Sequence, residues 1–126
     1  MADLSGAWLG TYWQQGKPTR FEATLIQNGN MLTGNILDNS YLGEASLIGD
    51  VIGLQVQFAK QYLIKKQIPV KYQGIISDDE ESMQGTWNLG KYDSGSWEAH
   101  RIGNSLTLEL KNRLENRVPV QVKSLV

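Results

Sequence analysis

The sequence predicts an all-β protein, an eight-stranded antiparallel up-and-down meander β-barrel with a short C-terminal extension. Three observations predict it. Apolar residues alternate with polar ones at period two in eight successive runs. Stretches of two to six turn-forming residues join each run to the next, and connections this short allow only antiparallel neighbours. Five runs carry a glycine in the phase of their apolar residues, as in Met83-Gln84-Gly85-Thr86-Trp87.

The first run, 6 to 14, alternates Trp8, Gly10, Tyr12 against Leu9, Thr11, Trp13; Gln15-Gly16-Lys17-Pro18 ends it. The second, 19 to 27, sets Phe21, Ala23 and Leu25 on one face and turns at Asn28-Gly29-Asn30. The third, 31 to 38, holds Leu32, Gly34, Ile36 and Asp38 in one phase, and the fourth, 43 to 51, follows after 39 to 42. After Ile52-Gly53 the fifth, 54 to 62, alternates most cleanly: Leu54, Val56, Phe58, Lys60, Tyr62 against Gln55, Gln57, Ala59, Gln61. The sixth, 68 to 77, the seventh, 82 to 89, and the eighth, 95 to 102, repeat the rule, separated by Ser77 to Ser82 and Gly90 to Ser94.

Eight strands with one apolar face pack either as two sheets or as one sheet rolled shut. Gly10, Gly34, Gly49, Gly74 and Gly85 favour closure: a missing inward side chain permits a tight bend and frees interior volume, which a barrel needs and a flat sandwich does not. The turns at 28 to 30, 52 to 53 and 77 to 82 share one end with both termini of the barrel. The other end has longer loops bearing Tyr41, Lys65, Lys66 and Tyr92, and reads as the mouth. Trp8 on the first strand and Arg101 on the eighth then meet near the narrow end, where the guanidinium stacks on the indole as a structural closure of the barrel.

A chain of 126 residues makes one core. The segment 1–110 is read as the barrel domain and 111–126 as a basic tail, with Lys111, Arg113, Arg117 and Lys123 against Glu115. A net charge of -1 gives no global attraction to nucleic acid or anionic membrane, so neither is an expected partner. The absence of cysteine excludes thiolate metal sites and disulfides, and with no leader-like start or membrane-length apolar run the expected location is cytoplasmic.

Gly6-Ala7-Trp8 with Arg101, then Leu32-Thr33-Gly34, Met83-Gln84-Gly85-Thr86-Trp87 and Trp97-Glu98-Ala99-His100-Arg101, resemble in order the strands of the calycin superfamily, and of its avidin branch most. The resemblance spans about 1 to 110 and implies a ligand-holding barrel, with Trp87 and Trp97 at aromatic wall positions and Phe58 where a further tryptophan is usual. Ile36 stands where that branch has the tyrosine that contacts a ureido oxygen, so biotin is expected to bind weakly or not at all.

Toward the mouth, the inward phase offers Tyr12, Gln14, Asp38, Phe58, Lys60, Tyr62, Tyr72, Trp87 and Trp97, an aromatic wall with a few polar heads, the usual make-up of a small-molecule site. Lys60 either snorkels to the rim or meets an anion inside. Asp78 to Glu81 lacks the spacing of a calcium loop, and His100, the single histidine, falls on the outward phase, so no metal or other cofactor is expected. Ser105 to Leu110 suits strand or helix alike, and Val118-Pro119-Val120 is extended.

The leading expectation is a binding protein for a small hydrophobic or amphipathic ligand, partly apolar and anionic if Lys60 stays inside. The alternatives are a barrel enzyme, an isomerase or cyclase using Tyr/Lys acid-base chemistry, and an interaction module on an inert barrel. A homo-oligomer is compatible with each.

Overall fold

A computed structural model describes residues 2–64 and 68–102. Eight strands, β1 (Gly6–Gln14), β2 (Lys17–Asn28), β3 (Met31–Asp38), β4 (Glu44–Ile52), β5 (Gln55–Tyr62), β6 (Val70–Ile76), β7 (Ser82–Leu89) and β8 (Asp93–Arg101), form a closed antiparallel meander barrel in chain order. Closure is made by β1 and β8, in register from Trp8↔Arg101 to Gln14↔Gly95. Lys65, Lys66, the undecided segment 105 to 110 and the tail 111–126 lie outside the described residues.

Three strand starts differ by two residues from expectation, and of these β6 begins late, at Val70 rather than at 68. β2 begins at Lys17, so the first hairpin has a two-residue loop, Gln15-Gly16, with φ of 52° and 80°. Positive φ at both positions matches the twist of the flanking strands. Pro18 therefore lies inside a strand opposite Trp13, where β3 has not yet begun to pair, since that ladder starts at Phe21↔Asp38. Its missing N–H thus leaves no partner waiting. β8 likewise begins two residues early, at Asp93.

The alternation holds through every strand, and Trp8, Leu32, Val51, Val56 and Ile76 are among the most buried side chains. The inward glycines act by close approach rather than by freeing volume. A Cβ on Gly85 would lie 1.9 Å from the carbonyl oxygen of Gln73, and one on Gly49 2.0 Å from that of Gln57. The space they vacate is filled by the neighbouring strand, which lets the wall curve more sharply than side chains would allow.

The narrow end is sealed. The Arg101 guanidinium sits 4.6 Å from the Trp8 ring and donates to the carbonyls of Ser5 (2.8 Å), Asp3 (2.7 Å) and Glu80 (3.1 Å). The Trp8 indole N–H donates to the Leu4 carbonyl, and Gln27 accepts from the Leu4 N–H while donating to the Ala2 carbonyl. Ala2 and Leu4 are buried as a result. Arg101 is thus a clamp on the segment that crosses the floor as well as a stacking partner.

Candidate binding site

The polar centre in the mouth half of the interior is built from β1, β3, β5 and β6. Tyr12, Asp38, Lys60, Tyr62 and Tyr72 all belong to the inward phase of their strands, and Lys60 and Asp38 are 1 % and 4 % exposed. Asp38 and Lys60 come from strands that do not touch; Lys60 pairs with Leu47 and Val70, and Asp38 with Phe21. The lysine stem spans the gap. Its ammonium donates to Oδ1 of Asp38 at 2.9 Å and Oδ2 at 2.8 Å, with the Tyr72 hydroxyl at 3.5 Å. Asp38 Oδ2 also accepts from the hydroxyls of Tyr12 (3.1 Å) and Tyr62 (2.5 Å). Rings complete the enclosure, with Nζ 4.6 Å from the centre of Tyr12 and 4.7 Å from that of Tyr62.

Burial is the largest influence on every phenol here. It raises Tyr12, Tyr62 and Tyr72 above the ordinary tyrosine value, and the negative charge of Asp38 pushes each further the same way. Burial also lowers Lys60, against the opposing pull of Asp38. Tyr/Lys acid-base chemistry needs a tyrosine held below its ordinary value; burial, together with the Asp38 carboxylate, holds all three above it. At neutral pH these tyrosines are hydrogen-bond donors, not bases.

Around this polar centre stands the aromatic wall. Phe58 and Tyr72 stack at 4.8 Å between ring centres, and Trp97 meets both edge-on at 5.7 and 5.6 Å. Trp87 lies edge-on to Tyr12 at 6.2 Å. The indole N–H groups of Trp87 and Trp97 are tied to the carbonyls of Trp13 and Gln73, each at 3.1 Å, which fixes both rings. Of the nine residues expected at the pocket, eight are gathered inside. Gln14 is not: its side chain is exposed at the rim and donates to Asp93 at 2.8 Å, because it is the last residue of β1 and stands at the edge of the mouth.

The expectation that Lys60 would await an anionic ligand is corrected by Asp38, which already supplies the carboxylate. His100 is on the outer wall, 3.5 Å from Glu98. In the acidic turn, Asp79 accepts from the Ser77 hydroxyl and the Glu81 N–H, and thereby shapes the β6–β7 connection. A feature absent from the sequence reading lies outside the barrel: a groove of about 710 Å³ on the wall running from β4 through β8 to β1. Its signal in the sequence is the outward polar set Gln57, Gln73, Thr86 and Ser96.

No family model and no curated protein matches this chain. Among solved structures it is similar to a designed protein described as "De novo design of a fluorescence-activating beta barrel", with 16 % identity, a TM-score of 0.59, and coverage of 80 % of this chain and 99 % of that one. At that identity the likeness concerns the fold.

Proposed function

We propose that the protein binds a small, partly apolar molecule at the mouth of its barrel, against the Asp38–Lys60–tyrosine centre. The observation that carries this is the buried ion pair itself. Removing two charges from water costs several kcal/mol per ion, and well-packed apolar side chains would fill the same space as stably or more so. A barrel serving only as scaffold has no use for it.

Tyr12 and Tyr62, near the mouth ends of β1 and β5, keep 7 % exposure, whereas Lys60 keeps 1 %. A ligand enters between those rings and hydrogen-bonds to the pair below. Because the pair is neutral overall, a carboxylate head has to displace Asp38 from Lys60. A head that both donates and accepts, such as an amide, joins the network without breaking it. The avidin-like wall of Trp87 and Trp97 supports this reading, while buried Ile36 presents only hydrocarbon, in keeping with weak biotin binding.

The test is a tryptophan-fluorescence titration with a naphthyl carboxylic acid, its methyl ester and its primary amide, beside native mass spectrometry of protein purified without denaturation. The amide is expected to bind at least as well as the acid, and Asp38→Asn and Lys60→Met to abolish the difference. A bare polypeptide mass, with all three probes silent, refutes the proposal.

A further inference from the structure

The outer wall carries a polar feature that is independent of the interior. Strand registers place Asp50, Gln57, Gln73, Thr86, Ser96 and Trp13 side by side in one unbroken outward row across β4, β5, β6, β7, β8 and β1. Neighbouring strands lie about 4.8 Å apart, so the row runs for roughly 24 Å along the wall. The groove of about 710 Å³ follows it. Gly74 and Gly85, paired across β6 and β7, line this groove without a side chain.

We infer that this groove binds an extended, neutral polysaccharide. Primary amides and hydroxyls each donate and accept, which suits the adjacent hydroxyls of a sugar ring. They recur at a spacing close to the length of one pyranose unit in an extended chain. The amides are only loosely engaged at home: Gln57 reaches Asp50 at 3.4 Å and Gln73 reaches Thr86 at 3.4 Å, both at the long limit of a hydrogen bond. They can turn to a ligand at little cost. Trp13, half-buried, stands between this groove and a second hollow of about 620 Å³ toward the mouth, and so offers its ring to the apolar C–H face of a sugar.

Charge and topology narrow the occupant. Among the described residues, the charged side chains lining the two hollows are Asp50 and Glu98, both acidic, so nucleic acid and acidic glycans are repelled. A closed barrel has no free edge along which a peptide strand could pair, leaving recognition to side chains alone.

Affinity electrophoresis tests the inference directly, with hydroxyethylcellulose, laminarin and soluble starch as neutral probes and carboxymethylcellulose as the anionic one. At least one neutral glucan is expected to retard the protein, and carboxymethylcellulose to have no effect. Trp13→Ala is expected to weaken binding about tenfold, the scale of one lost aromatic contact. The fully outward pair Gln57→Ala/Gln73→Ala, which disturbs no core contact, is expected to weaken it as well. The charge-free double variant Asp38→Asn/Lys60→Met should leave glucan binding intact, so that failure of the interior proposal and failure of this one are told apart. Retardation by none of the neutral glucans overturns the inference, as does equal retardation by carboxymethylcellulose. A dimer in sedimentation that Thr86→Arg disperses, together with no glucan binding, shows instead an interface between copies.

Discussion

Breaking the interior ion pair from one side should be far more damaging than removing both charges. In Lys60→Met the carboxylate of Asp38 keeps the hydroxyls of Tyr12 and Tyr62 but loses both ammonium contacts, at 2.8 and 2.9 Å, in a site that water does not reach. An uncompensated charge in such a place destabilises by about 3–5 kcal/mol. Asp38→Asn strands the ammonium to a similar degree, although its amide oxygen still accepts from the phenols. The double variant has no charge to strand and retains that acceptor, so it should fall within about 1–2 kcal/mol of the parent, a coupling of about 3 kcal/mol or more. Each single variant then loses on the order of 10–20 °C in melting temperature, most of which the double variant regains. Circular dichroism melts and urea titrations at neutral pH measure this. Single variants within about 1 kcal/mol of the parent, with additive effects in the double, would mean that the ammonium reaches solvent and the enclosed centre does not exist.

Alkaline pH should weaken the fold from about pH 10 upward: the unfolded chain gives up its phenol protons there while Tyr12, Tyr62 and Tyr72, raised in the fold, keep theirs, so their contribution is complete below that point and lost above it. Lys60, lowered by burial, works in the opposite sense below its unfolded value of 10.5, but it is one group against three. Tyr62→Phe should therefore release about one proton fewer on alkaline unfolding, and phenolate absorbance from these three before loss of the strand signal would contradict the assignment. Gly85→Val should destabilise by at least about 3 kcal/mol, since the obstruction is backbone, while outward Thr33→Val should cost under about 1 kcal/mol; equal melting temperatures would refute the inward placement. Trp8→Ala should destabilise by about 3–5 kcal/mol, and a double-mutant cycle with Arg101→Ala should show clear coupling; a coupling near zero would deny the stacking.

The strands and their closure were legible because period two and short turns leave few alternatives, and because Trp8 and Arg101 had to become neighbours once β1 met β8. The membership of the interior followed from the same phase rule. The contact between Asp38 and Lys60 did not. Strand pairing predicts contacts between adjacent strands, and these two residues stand on β3 and β5 with β4 between them. Only the tilt of strands in a closed barrel and the length of the lysine stem bring the charges together, and neither can be read from alternation. Gln14 shows the opposite limit: phase alone assigned it inward, whereas its height on β1 places it at the rim. Pro18 misplaced the start of β2, because its missing donor matters only where a partner strand faces it.

The seam between β1 and β8 also shapes the order of folding. Seven of the eight strand contacts join consecutive strands and can form as local hairpins. The eighth brings Trp8 to Arg101 across almost the whole described chain, and its loop-closure entropy must be met before any contact there can stabilise the chain. The latch residues Trp8 and Arg101 therefore govern how fast the cylinder shuts, while the polar centre, formed among β1, β3, β5 and β6, tightens only once the cylinder exists. Substitutions at the seam should act on the folding arm of a chevron plot, and those in the centre on the unfolding arm.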